Sequence, residues 1–184
     1  MVNNYLTRVT KQLNYYKGLG DRTFNQLSEE ELLIEPAPDA NSVAIIVNHM
    51  VGNMKSRWTD FLTSDGEKTW RNRDTEFEDV IKTKADLLSK WEEGWQCVFT
   101  ALETINKDNF ETIIYIRNQG HTITEAINRQ LCHYSYHIGQ IVYLGKLHKG
   151  DAWQSLSIPK NHSEAYNAER FNKDKEVKHF TEDV

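Results

Sequence analysis

The sequence predicts an all-α fold: four long helices gathered into a bundle, with a small β-hairpin ahead of the last. Three observations carry that expectation. Four long stretches repeat apolar side chains at three- and four-residue spacing. Helix-start signals stand before three of them. Only one segment, Phe110 to Ile116, turns β-branched and aromatic. With 184 residues, 39% hydrophobic and 27% charged, the chain is long enough for one sizeable core.

The first helix is expected over about residues 3–27, with Tyr5, Val9, Leu13, Tyr16, Phe24 and Leu27 on its apolar side. Gly18 and Gly20 weaken its middle. They also begin a partial GxGxxG pattern, but no strand precedes it and Thr23 replaces the last glycine, so a dinucleotide site is not supported. Ser28-Glu29-Glu30-Glu31 reads as one capped turn, ended by Pro36 and Pro38. The second helix spans about Ser42 to Leu62, capped by Asn41 or Ser42. Its stripe of Ile45, Ile46, His49, Met50, Asn53, Arg57 and Phe61 mixes apolar with polar residues.

A long polar connection follows, Thr63 to Asp74, of a length that marks functional or crossover segments. Trp70 is expected to pin it to the bundle, with Arg71 and Arg73 pairing with Asp74 and Glu76; a substrate-binding role is the other reading. The third helix covers about Lys84 to Ile105, with Thr83 and Asp86 placed as a capping box. Leu87, Leu88, Trp91, Trp95, Val98, Phe99 and Leu102 form a core stripe, beside which Cys97 reads as a small core residue. Residues 109–121 suggest a hairpin turning at Asn118-Gln119-Gly120, with His121 at a rim. The fourth helix spans about Ile123 to Leu147, from the box Thr122-Ile123-Thr124-Glu125 to Gly150. Beyond it the chain turns polar. The segment Trp153 to Pro159 can pack across the bundle end, and His148, His162 and His179 read as surface histidines.

Composition excludes several functions. A net charge of −5 without a basic face argues against nucleic acid as a partner. The densest apolar run, Val43 to Val47, is too short to cross a membrane, and the first residues lack the apolar core of a secretion signal. Cys97 and Cys132 form no CxxC pair, which sets the expectation of a reducing, cytoplasmic location.

The chemistry concentrates at His133 and His137. Four residues apart on a helix, they lie about 40° apart and one turn along the axis, so both imidazoles can reach one point. They sit at the edge of the apolar arc of Ala126, Ile127, Leu131, Tyr134, Ile138, Ile141 and Leu144. Imidazoles bind zinc and similar divalent ions, nickel, manganese or iron among them. His49 is the best third ligand, since its helix also reads as facing inward. Three protein ligands leave one position for water or substrate, as in catalytic zinc sites. Tyr134 follows the first histidine, so this is not the HExxH of metalloproteases. Spacing alone leaves open the plainer reading of buried, hydrogen-bonded histidines.

Asn48-His49-Met50 together with His133-Tyr134-Ser135-Tyr136-His137-Ile138-Gly139-Gln140-Ile141 resembles the DinB superfamily. The stretches Ser42 to Met50, Arg57 to Leu62, Asp65 to Lys68, Trp70 to Asp74 and Ser155 to Pro159 are similar to an uncharacterised branch of it. The resemblance implies a single domain over residues 1–167, a four-helix bundle with a long crossover, and a polar tail over 168–184. It further implies a divalent metal held by His49, His133 and His137, and commonly a homodimer. Characterised relatives include transferases that use low-molecular-weight thiols. The expected function is therefore a metal-dependent thiol S-transferase acting on a small electrophilic substrate. Asn53, Arg57, Arg71, Arg73 and Gln140 are candidates to bind substrate near the bundle mouth. A metal-dependent hydrolase and a non-catalytic, stress-related metal-binding protein are the alternatives.

Overall fold

The computed structural model describes residues 2–183. The protein is mostly helical (62%), with six α-helices among the described residues and one small antiparallel sheet. Helix α1 (Val2–Gln26) buries Val9, Leu13, Thr23 and Phe24. Its glycines do not interrupt it. Gly20 lies against Trp91, and a Cβ there would sit 2.5 Å from the indole Cζ2, so lower helix propensity is exchanged for close approach. The short α2 (Glu29–Leu33) carries the complete Ser28–Glu31 capping box.

Helix α3 (Val43–Trp58) starts with the Ser42 hydroxyl accepting from Ile45 N–H. It stops four residues before the predicted end at Leu62. Thr59 turns extended and Asp60 takes φ +46, a left-handed conformation its short polar side chain tolerates. A 3-10 turn at Asp74–Phe77 is the only regular helix-like element described in the connection to α4 (Lys84–Glu103). There the Thr83 hydroxyl accepts from Asp86 N–H. Leu87, Trp91, Trp95, Val98 and Leu102 are buried as expected, but Leu88 lies outside the stripe and is exposed.

The hairpin pairs β1 (Ile113–Ile116) with β2 (Gln119–Thr122), Ile116 opposite Gln119. Its turn is Arg117-Asn118, a position earlier than predicted, with φ +56 and +60. That two-residue geometry matches the strand twist. Asp65 of the long connection stabilises it by accepting the N–H groups of both residues at 2.8 Å. Helix α5 (Ile123–Lys149) begins with the full Thr122–Glu125 box and ends where Gly150 takes φ +52. Helix α6 (Ser163–Phe171) buries none of its residues.

Side-chain contacts give the helix directions. Val51 and Met54 of α3 meet Gly94 of α4, Lys55 pairs with Glu93, and Thr59 meets Cys97, so α3 and α4 run parallel. Tyr5 bonds Asn128 and Thr23 meets Gly145, so α1 and α5 are also parallel. Trp58 with Tyr134, and His49 with His137, make α3 antiparallel to α5. The long connection must therefore carry the chain back over the length of α3, about 24 Å for 16 residues. Trp91, Trp95, Tyr134 and Phe24 fill the shared core.

Two expectations fail at the periphery. Trp70 does not pin the connection; it is 58% exposed. His179 is not at the surface but 9% exposed, because the chain end returns to α1, where Phe180 meets Tyr15 edge to face and Glu182 pairs with Lys11. Trp153 packs over Gly145, across the end of α5. No helix among the described residues is long and apolar enough to cross a membrane.

Candidate metal centre

His133 and His137 leave α5 on neighbouring turns, and His49 faces them from the middle of α3. One ring nitrogen from each lies within 4.8 Å of the others. The rings are steeply inclined to one another, by 90°, 70° and 84°, so their edges rather than faces converge. His49 is buried and its partners half-buried, so the cluster has a covered side and an open side.

The far nitrogens decide which atoms face inward. His137 Nδ1 donates to Gln140 Oε1 at 2.7 Å, which leaves its Nε2 as a lone pair. His49 Nδ1 donates to Glu76 Oε2 at 2.9 Å, which leaves its Nε2 likewise. His133 Nε2 stands 3.1 Å from His137 Nε2, while its Nδ1 is buried without a partner. A separation of 3.1 Å is close to that of two nitrogens each about 2.0–2.1 Å from a shared ion. A metal ligand whose other nitrogen is tied to a carboxylate or amide is the usual construction of such sites. The three histidines therefore fit a divalent ion. Among the described residues no fourth histidine, cysteine or carboxylate joins the group.

Burial and neighbouring charge favour the neutral forms of His133 and His137, the form that binds metal. Burial, reinforced by the nearby His137, His49, Arg57 and Arg71, pushes His133 down to about 3. Burial also lowers His137, against the opposing Gln140 hydrogen bond. Burial pushes the Glu76 carboxyl up, but bonds from His49 and Arg71 outweigh it and hold the group below the usual carboxylate range.

The remaining candidates are placed as follows. Gln140 touches the centre through His137. Asn53, one turn beyond His49, is buried and accepts from the Tyr134 hydroxyl at 3.5 Å. Arg57 and Arg71 both pair with Glu67, at 3.0 and 3.1 Å, and Arg71 also grips Glu76 through two bonds of 2.7 and 2.9 Å. Their charges are thus committed within the protein. Arg73 is exposed and lies over the Phe77 ring, which in turn stacks on His49 at 4.5 Å.

Glu76 and Phe77 are the functional neighbours that sequence reasoning missed. Glu76 was legible as an arginine partner, five residues after Arg71, but nothing in a stretch without periodicity points to His49. A family model described as "Protein of unknown function (DUF1572)" matches residues 1–162. No curated protein matches the chain.

Proposed function

The chain belongs to the DUF1572 family, a branch of the DinB/YfiT-like superfamily, and from that premise we propose that it is a divalent-metal-dependent enzyme working at His49, His133 and His137. The observation that carries the proposal is the convergence of three imidazoles, two of them with the outer nitrogen held by Glu76 or Gln140. Structural zinc sites are closed by four protein ligands; three with one open side is the catalytic pattern. Zinc is the first candidate by donor type, with nickel, manganese and iron next.

Three neutral donors leave the charge of a divalent ion uncompensated, which favours an anionic fourth ligand. Such an ion lowers the pKa of a bound thiol or water, so a nucleophile forms near neutral pH. We assign the chemistry to conjugation of a low-molecular-weight thiol with a small electrophile: the thiol sulfur would form the new bond to the electrophilic carbon, the electrophile's leaving group would depart with the electron pair, and the thiol proton would pass to solvent. Gln140 and Asn53 would orient polar groups beside the centre, and Arg73, the exposed cation at Phe77, would attract an acidic substrate. The pairwise packing supports a four-helix bundle with residues 59–83 as its crossover. Tyr136, Tyr143 and Leu147, exposed on one side of α5, are the surface that a homodimer would cover.

Metal analysis of the purified protein, beside His133→Ala and His137→Ala, tests the centre. The wild type is expected to retain about one ion per chain and the variants to lose it; equal metal content would refute the site. Conjugation of several thiols to a panel of electrophiles tests the reaction. A metal-loaded protein inactive with all of them would exclude the transferase.

A further inference from the structure

The long connection supplies what the histidine centre lacks. Four features of α3 hold the Asp74–Phe77 turn. The Asn48 side chain donates to the carbonyls of Thr75 and Glu76, at 3.4 and 3.0 Å. His49 bonds the Glu76 carboxylate, and its ring stacks on Phe77. Gly52 supplies the space: a Cβ there would lie 2.6 Å from Glu76 Cδ. Arg71 then fixes the carboxylate from within the connection, its side chain only 2% exposed.

We propose that Glu76 is a positioning residue for the histidine centre, and that through it metal binding and docking of the 66–78 segment form one linked equilibrium. The inference rests on the metal reading above. A carboxylate on Nδ1 fixes the tautomer of His49 and turns Nε2 toward the other two histidines. Because coupling free energies are reciprocal, a segment that strengthens metal binding when docked must dock more firmly when metal is bound. Glycine at position 52 lowers the helix propensity of α3 relative to alanine. The contact that this vacancy admits is the Glu76 carboxylate.

The test uses Zn2+ alone, titrated into metal-free full-length protein by calorimetry, with amide hydrogen exchange read on residues 66–78. Glu76→Gln keeps the size and removes the charge. Gly52→Ala displaces the carboxylate without changing any metal ligand. Both are expected to weaken Zn2+ binding about 10- to 100-fold. Gly18→Ala, where a Cβ meets nothing, is the control and should bind like wild type. In wild type, Zn2+ should slow exchange across 66–78; in the two variants the slowing should shrink. Wild-type affinity in both variants, or exchange in wild-type 66–78 that ignores Zn2+, would overturn the coupling and leave the metal centre standing. A wild type that binds no Zn2+ would remove the centre itself, and the coupling with it.

Discussion

Tyr134 shows how finely one residue separates the site from the core. Its neighbour His133 faces the three-histidine cluster, while its own ring is fully buried against Trp95. The hydroxyl accepts from Trp58 Nε1 at 3.0 Å, and burial pushes its pKa above the ordinary tyrosine range, so it stays a neutral hydrogen-bonding group. Tyr134→Phe strands a buried indole N–H. The expected cost is about 1–3 kcal/mol, read as a lower urea midpoint with unchanged slope. His133 yields a pH prediction. Its folded pKa is pushed to about 3 from an ordinary 6.5, so between those values the unfolded chain binds the extra proton. The metal-free protein should hold this stability above about pH 6.5 and lose it progressively towards pH 3. Thermal melts in chelator across that range check the sign. The histidine pair itself is legible, because His133 and His137 share one helix and a fixed spacing. Glu76 is not, because its approach to His49 depends on Arg71, Asn48 and Gly52 acting from two segments.

At the scale of elements, local chemistry predicts existence well and boundaries less well. The boxes at Ser28 and Thr122 form as expected because both partners of each lie within four residues. Thr122→Ala should therefore cost about 1 kcal/mol, measurable by the same denaturation. The end of α3 and the hairpin turn both lie earlier than the sequence predicts, and both depend on positive-φ residues that carry no glycine signal, Asp60, Arg117 and Asn118. The hairpin turn also draws support from Asp65, some fifty residues away, which accepts three backbone N–H groups. Removing it in Asp65→Ala is expected to destabilise by about 1.5–3 kcal/mol and to raise amide exchange at Arg117 and Asn118. Trp70, the expected anchor of the connection, is exposed. Arg57 of α3 and Arg71 of the connection itself hold the loop instead, through Glu67 and Glu76.

For the whole molecule, the two parallel pairs, α1 with α5 and α3 with α4, explain why a connection so long interrupts an otherwise economical chain. They also make the proposed ion a link between distant segments, since His49 and His137 come from opposite sides of that connection. At a concentration 100-fold above its dissociation constant, an ion bound only to the folded state adds about 2.7 kcal/mol. For a chain of this size that corresponds to a melting point about 5–11 °C higher. Scanning calorimetry with Zn2+ and with chelator should resolve the difference. The parallel pairing of α1 with α5 has a further consequence in time. Tyr5 and its partner Asn128 are 123 positions apart. At about 5–20 residues per second of synthesis, the α5-facing side of α1 waits about 6–25 s on the ribosome before its partner exists. During those seconds that side of the nascent helix is open to chaperones.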